Sequence, residues 1–156
     1  MSLFRYRRNE LLRGLLIYAA GDTVAALLTC QFSLQRMVGM MAVGGFVYSL
    51  EIPSWFRYIA RRWKGVPRAL MAMLYFNPLW IARHLAFIAL VSGDLDGIDW
   101  CLLTVSLKSF SVNLPFSFVA NYLIQNKIPV DWRFFASAIF SALMAVYYSA
   151  CGVIFG

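Results

Sequence analysis

The sequence predicts an all-α fold: a polytopic transmembrane helix bundle, four to five membrane helices forming one integral membrane domain over residues 1–156. Three observations predict it. Apolar residues make up 62% of the chain and charged residues 13%, against about 45–50% and about 25% in soluble domains. Phe134 to Gly156 is a run of 23 residues without a charge. At about 1.5 Å per residue, a helix of that length matches the roughly 30 Å hydrocarbon thickness of a bilayer. Finally, the basic residues gather between apolar runs, the pattern that orients helices in a membrane.

The elements follow in order. The basic N-terminus, with Arg5, Arg7, Arg8 and Arg13, leads into a first span over residues 14–34. No convincing cleavage site follows it, so this segment reads as a retained first helix rather than a signal peptide. Asp22 lies near its middle. Gln35 and Arg36 form a short turn. A second span covers residues 37–55, with Glu51 and Pro53 near its far end. The connector over residues 57–68 carries Arg57, Arg61, Arg62, Lys64 and Arg68.

A third span covers residues 68–93 and is interrupted by Asn77-Pro78. Proline removes one backbone bond and crowds the preceding turn, so Pro78 is expected to kink this helix. Asp94, Asp96 and Asp99 form an acidic loop. Residues 100–107 form a short interfacial helix. A fourth, shorter span over residues 109–125 contains Asn113, Pro115 and Asn121; it either crosses fully or is re-entrant. Pro129, Asp131, Trp132 and Arg133 then form an interfacial preface to the last span, residues 134–156.

Alternation places the two basic segments on one side and the acidic loop on the other. A full crossing by residues 109–125 adds Lys127 and Arg133 to the basic side and sends the C-terminus to the opposite one. On the last helix, Ser137, Ser141, Ala145 and Ser149 recur every four residues. Small residues at that spacing admit another helix closely, either within the bundle or from a second copy.

An ionised side chain at mid-bilayer costs roughly 2.5–3.5 kcal/mol on insertion scales. Asp22, Arg83 and His84 fall at that depth. Either Asp22 and Arg83 neutralise each other and lock two helices, or the three line a polar path. His84 would then be a candidate gate, because histidine changes charge near neutral pH. Glu51, beside Arg57, is expected to be solvated near an interface.

The formal charge of +7 would suggest nucleic acid in a soluble protein. Here the clustering points instead to orientation and to anionic lipid headgroups at the 57–68 connector. Cys30, Cys101 and Cys151 form no CxxC pair, so neither a disulfide framework nor a metal site is suggested. No nucleophile-and-base pair and no phosphate loop is present. The reading is a non-enzyme without cofactor, metal or nucleic-acid partner.

Five places along the chain resemble a known family. Gly21-Asp22 is similar to a Gly-Asp of the first span. Trp55-Phe56, Ile59 and Arg61 resemble a Trp-Tyr-x-x-Leu-x-Arg segment, and Arg68 and Pro78 keep the spacing of a Lys and a Pro. Leu114-Pro115 and Asn121 resemble a Trp-Pro and a downstream Asn. Ile128-Pro129, Arg133 and Tyr147-Tyr148-Ser149 resemble a Val-Pro, an Arg and a Tyr-Leu-Ser. In this order they resemble the Mpv-seventeen and twenty-two-kilodalton peroxisomal membrane protein family. The chain departs from that pattern at Ala26, Ser49-Leu50, Pro53 and Ala72-Met73, which replace polar or turn-forming residues. The resemblance implies a channel-like or solute-pathway role in organelle membrane homeostasis, with Asp22, Arg83 and His84 as polar lining. The mitochondrial inner membrane comes first as location, with the peroxisomal and bacterial inner membranes as alternatives. The missing polar residues favour a second role, a non-catalytic accessory subunit of a larger membrane complex.

Overall fold

The computed structural model describes residues 7–155, with side chains described as far as Met144. Among the described residues every regular element is helical: α1 (Arg8–Leu28), α2 (Leu34–Ala42), a π-helical segment (Val43–Tyr48), α3 (Ser49–Arg62), α4 (Gly65–Tyr75), α5 (Pro78–Ser92), α6 (Cys101–Lys127) and α7 (Val130–Phe155). The segment from Leu34 to Arg62 is one continuous rod, and α4 and α5 together form another. Among the described residues four rods, Arg8–Leu28, Leu34–Arg62, Gly65–Ser92 and Cys101–Lys127, are long and apolar enough to cross a membrane, and α7 is the fifth rod of the bundle.

The rods run alternately up and down. At one end the start of α1 meets the start of α7, with Arg7 paired to Asp131. The Arg13 guanidinium sits 4.1 Å over the Trp132 ring there. Arg57 near the end of α3 pairs with Glu10 at 3.0 Å. At the same end Asn126 of α6 holds the backbone of Gly65, accepting from its N–H at 2.9 Å and donating to its carbonyl at 3.1 Å. The basic connector, Lys127 and Arg133 therefore share this end, and the loop with Asp94, Asp96 and Asp99 lies at the other.

Two boundaries correct the sequence reading. Residues 100–107 and 109–125 are not a surface helix and a separate short span but one 27-residue helix, α6, with Pro115 inside it. At 1.5 Å per residue this is about 40 Å, more than a full crossing. Arg36 is not in a turn either. It occupies the first turn of α2, whose N-cap is Ser33 accepting from the Arg36 N–H at 3.1 Å. The third rod is divided at Phe76–Asn77. The Asn77 side chain accepts from the Trp80 N–H at 3.0 Å, and Pro78 is the first residue of α5, where its missing N–H costs nothing.

Lipid tails are as apolar as leucine, so helices in a bilayer associate by close packing rather than by hydrophobic burial. Gly14 of α1 and Gly44 of the π segment supply that approach. A Cβ at Gly14 would lie 2.2 Å from the Gly44 carbonyl oxygen. Around this crossing Tyr18, Tyr48, Ile52, Phe56, Ile59, Ala72, Phe134 and Ala138 form the buried core.

Candidate functional site

The core closes the bundle on one side only. On the other, α1, α2, α5, α6 and α7 line a half-open cavity of about 480 Å³, within the roughly 300–1,000 Å³ range of small-molecule sites. Its walls follow from helical spacing. Tyr18, Gly21, Asp22 and Ala25 lie on one face of α1. Trp80, His84 and Ile88 descend α5. On α6, Val105, Ser109, Asn113, Ser117 and Asn121 recur every four residues, and Ser137 and Ser141 of α7 also line the cavity. Ser109 to Asn121 extends about 18 Å along the helix axis, a polar stripe set among walls such as Ile17, Ile81, Leu85 and Phe110.

Asp22 and Arg36 hold one rim. The guanidinium grips both carboxylate oxygens, Nη2 to Oδ1 at 2.7 Å and Nε to Oδ2 at 3.0 Å. Both side chains are largely buried, so the pair joins α1 to α2 and leaves the lining without net charge from these two groups. His84 is fixed by Tyr48, whose hydroxyl lies 2.9 Å from Nδ1. The imidazole also stacks on Trp80 at 5.5 Å with an interplanar angle of 4°.

The expected pairing of Asp22 with Arg83 does not form. Arg83 leaves the cavity to its neighbour His84 and binds Glu51 instead, at 2.6 and 3.1 Å. Tyr75 donates to the same carboxylate at 2.7 Å. Glu51 is therefore paired with Arg83 and Tyr75, while Arg57 belongs to Glu10. The reason is rotational. Successive helix residues point about 100° apart, so Arg83 and His84 face different neighbours, and Arg36 reaches Asp22 from the adjoining helix.

The remaining sequence-predicted residues take packing and capping positions. Gly21 abuts Ala142 of α7; a Cβ there would lie 2.7 Å from the alanine Cβ. The Trp55 indole donates to the Met71 carbonyl at 3.0 Å. Arg68 donates to the carbonyls of Trp63 at 2.6 Å and Gln125 at 2.8 Å. Arg133 donates to the Ile128 carbonyl at 3.0 Å. Both guanidiniums thus sit where helices end and carbonyls carry partial negative charge. Arg61, Pro115 and Pro129 are exposed. Asn121 is buried and donates to the Ser117 carbonyl at 2.9 Å. Ser137 and Ser141 face the cavity, while Ala145, Tyr148 and Ser149 lie outside the residues whose side chains are described.

The sequence reading assigned neither Arg36 to Asp22 nor Glu51 to Arg83, and it did not name Ser109 and Ser117 of the α6 stripe. The stripe had a readable signal, the four-residue spacing of Ser109, Asn113, Ser117 and Asn121. Fold and site together define a class: an all-helical bundle, among the described residues, with rods of membrane-spanning length around a largely apolar cavity that carries a polar stripe. No protein-family model matches the chain, and no curated protein or solved structure matches it. The resemblance described above therefore rests on its motif residues alone.

Proposed function

We propose that this chain is a small integral membrane protein whose central cavity serves as a channel-like pathway for a small solute. Its place is an organelle membrane, first the mitochondrial inner membrane. The observation that carries the reading is the cavity itself: polar side chains of α1, α5, α6 and α7 turned inward, at the height where a bundle in a bilayer has most reason to be apolar. The motif resemblance supports the same role and the organelle setting. The reading takes the chain as non-enzymatic, with anionic lipid headgroups at the 57–68 connector. The test is permeability. Purified protein in liposomes should raise the flux of small solutes above that of protein-free vesicles, across a panel of charged and uncharged compounds. Vesicles no leakier than the protein-free control would sink the pathway.

A second reading is a non-catalytic accessory subunit of a larger membrane complex. The Glu51–Arg83 pair favours it, because about a third of each side chain is exposed on two rods of membrane-spanning length. A neighbouring protein there would spare the pair contact with lipid. Comigration with a large assembly on a native gel, together with impermeable liposomes, would establish this reading over the first.

A further inference from the structure

The lining of the cavity selects among solutes. We infer that the molecule it accommodates is uncharged and bears both hydrogen-bond donors and acceptors, as a small polyol or amide does. The inference rests on the pathway reading above. Its first support is the state of the charges. The formal charges on the wall, Asp22 and Arg36, are committed to one another through both carboxylate oxygens. Among the described residues no free carboxylate remains on the wall to replace the hydration of a cation. Arg36 likewise spends its charge on Asp22 rather than on an anion. An ion would have to give up water for hydroxyls, amides and apolar walls, at a desolvation cost that dipoles alone offset poorly.

The second support is a set of orphaned polar atoms. Tyr18 and Asn121 both line the cavity, and both are more than nine-tenths buried. Among the described residues, the Tyr18 hydroxyl and the Asn121 carbonyl oxygen have no hydrogen-bond partner, and neither has the indole N–H of Trp80 on the same wall. Buried groups of this kind are rare, because each forfeits a hydrogen bond. They come as one acceptor, one donor and one group able to act as either. A solute with hydroxyl or amide groups satisfies all three, whereas a simple ion satisfies one kind only. Ser117 and Ser137 extend the same mixed chemistry along the walls.

The experiment compares two fluxes through the full chain in liposomes of defined lipid. Stopped-flow light scattering reads entry of glycerol and urea; planar-bilayer recording reads potassium and chloride currents. The expected result is accelerated glycerol or urea entry without ionic current. Asn121→Leu should slow that entry about fivefold, the effect of one lost hydrogen bond. Asn121→Gln, which keeps the amide, should restore part of it. Ionic current in the wild type with no acceleration of glycerol or urea overturns the solute class and leaves the pathway standing. Absence of both fluxes overturns the pathway and this inference with it. Equal flux in wild type and a folded Asn121→Leu, checked by size exclusion and helicity, also overturns it.

Discussion

Arg36 closes on Asp22 through three short contacts of 2.7, 3.0 and 3.2 Å, tying the first turn of α2 to α1 beside the cavity. The carboxylate side chain is 7% exposed and the guanidinium 13%. Removing one partner of such a pair strands a buried charge, at a cost of about 3–5 kcal/mol, whereas replacing both by apolar groups is often near neutral. Asp22→Ala should therefore lower stability by about 3 kcal/mol. The double variant Asp22→Leu/Arg36→Leu should fall within about 1 kcal/mol of wild type. Unfolding in micelles followed by helicity measures both. A double variant as damaged as the single one would show that the pair does more than neutralise itself.

At the Gly14–Gly44 crossing two backbones approach closely in the core. A methyl group at Gly14 meets the Gly44 carbonyl oxygen at 2.2 Å, and one at Gly44 meets the Gly14 oxygen at 2.5 Å. Backbone cannot rotate aside as a side chain can. Gly14→Ala should cost about 2–3 kcal/mol, the upper range for overpacking. Gly65→Ala meets nothing within 4 Å and bears only the strain of φ +61°, about 1 kcal/mol. The order of the two melting temperatures decides the point.

Helices α1 and α5 end in the same way. Beyond α1 the Gln31 N–H reaches back to the Ala26 carbonyl at 2.8 Å, and Cys30 donates to Leu27 at 3.2 Å. Beyond α5 the Asp94 N–H reaches Ala89 at 3.0 Å, and Gly93 donates to Leu90 at 3.2 Å. This end needs a left-handed residue, usually glycine. Gly93 fits at φ 79°, but the first end holds Cys30 at φ 54°. Cys30→Gly should raise stability by about 0.5–1 kcal/mol, and Gly93→Ala should lower it by about 1 kcal/mol. Opposite signs in thermal unfolding are the expected result.

Much of the architecture was legible because a bilayer constrains length and charge so strongly. An uncharged run of spanning length needs no partner to be recognised, and alternation of Arg-rich and Asp-rich connectors orders the spans. Pairings between helices were not legible in that way, because they depend on rotation about each axis. Asp22 has basic residues at many separations, and only packing selects Arg36, 14 residues on, over Arg83, 61 residues on. The sequence divides α6 into an interfacial helix and a short fourth span that contains Asn113, Pro115 and Asn121. In the single helix both amides line the cavity and Pro115 lies on the exposed side, so these residues mark the two faces of one long helix.

Sidedness can be measured directly. The ends of the bundle differ in sign: Arg57, Arg61, Arg62, Lys64 and Arg68 lie at one, Asp94, Asp96 and Asp99 at the other. Basic connectors stay on the cytoplasmic or matrix side of a membrane. In a background whose cysteines are replaced by serine, Arg61→Cys should react with an impermeant maleimide only from that side. Asp96→Cys should react only from the opposite side. Lys127→Cys separates the two topologies the sequence left open. With α6 crossing fully, for which Cys101–Lys127 is long and apolar enough, it labels together with Arg61→Cys. If the segment were re-entrant it would label with Asp96→Cys, and the alternating order of all five rods would have to be redrawn.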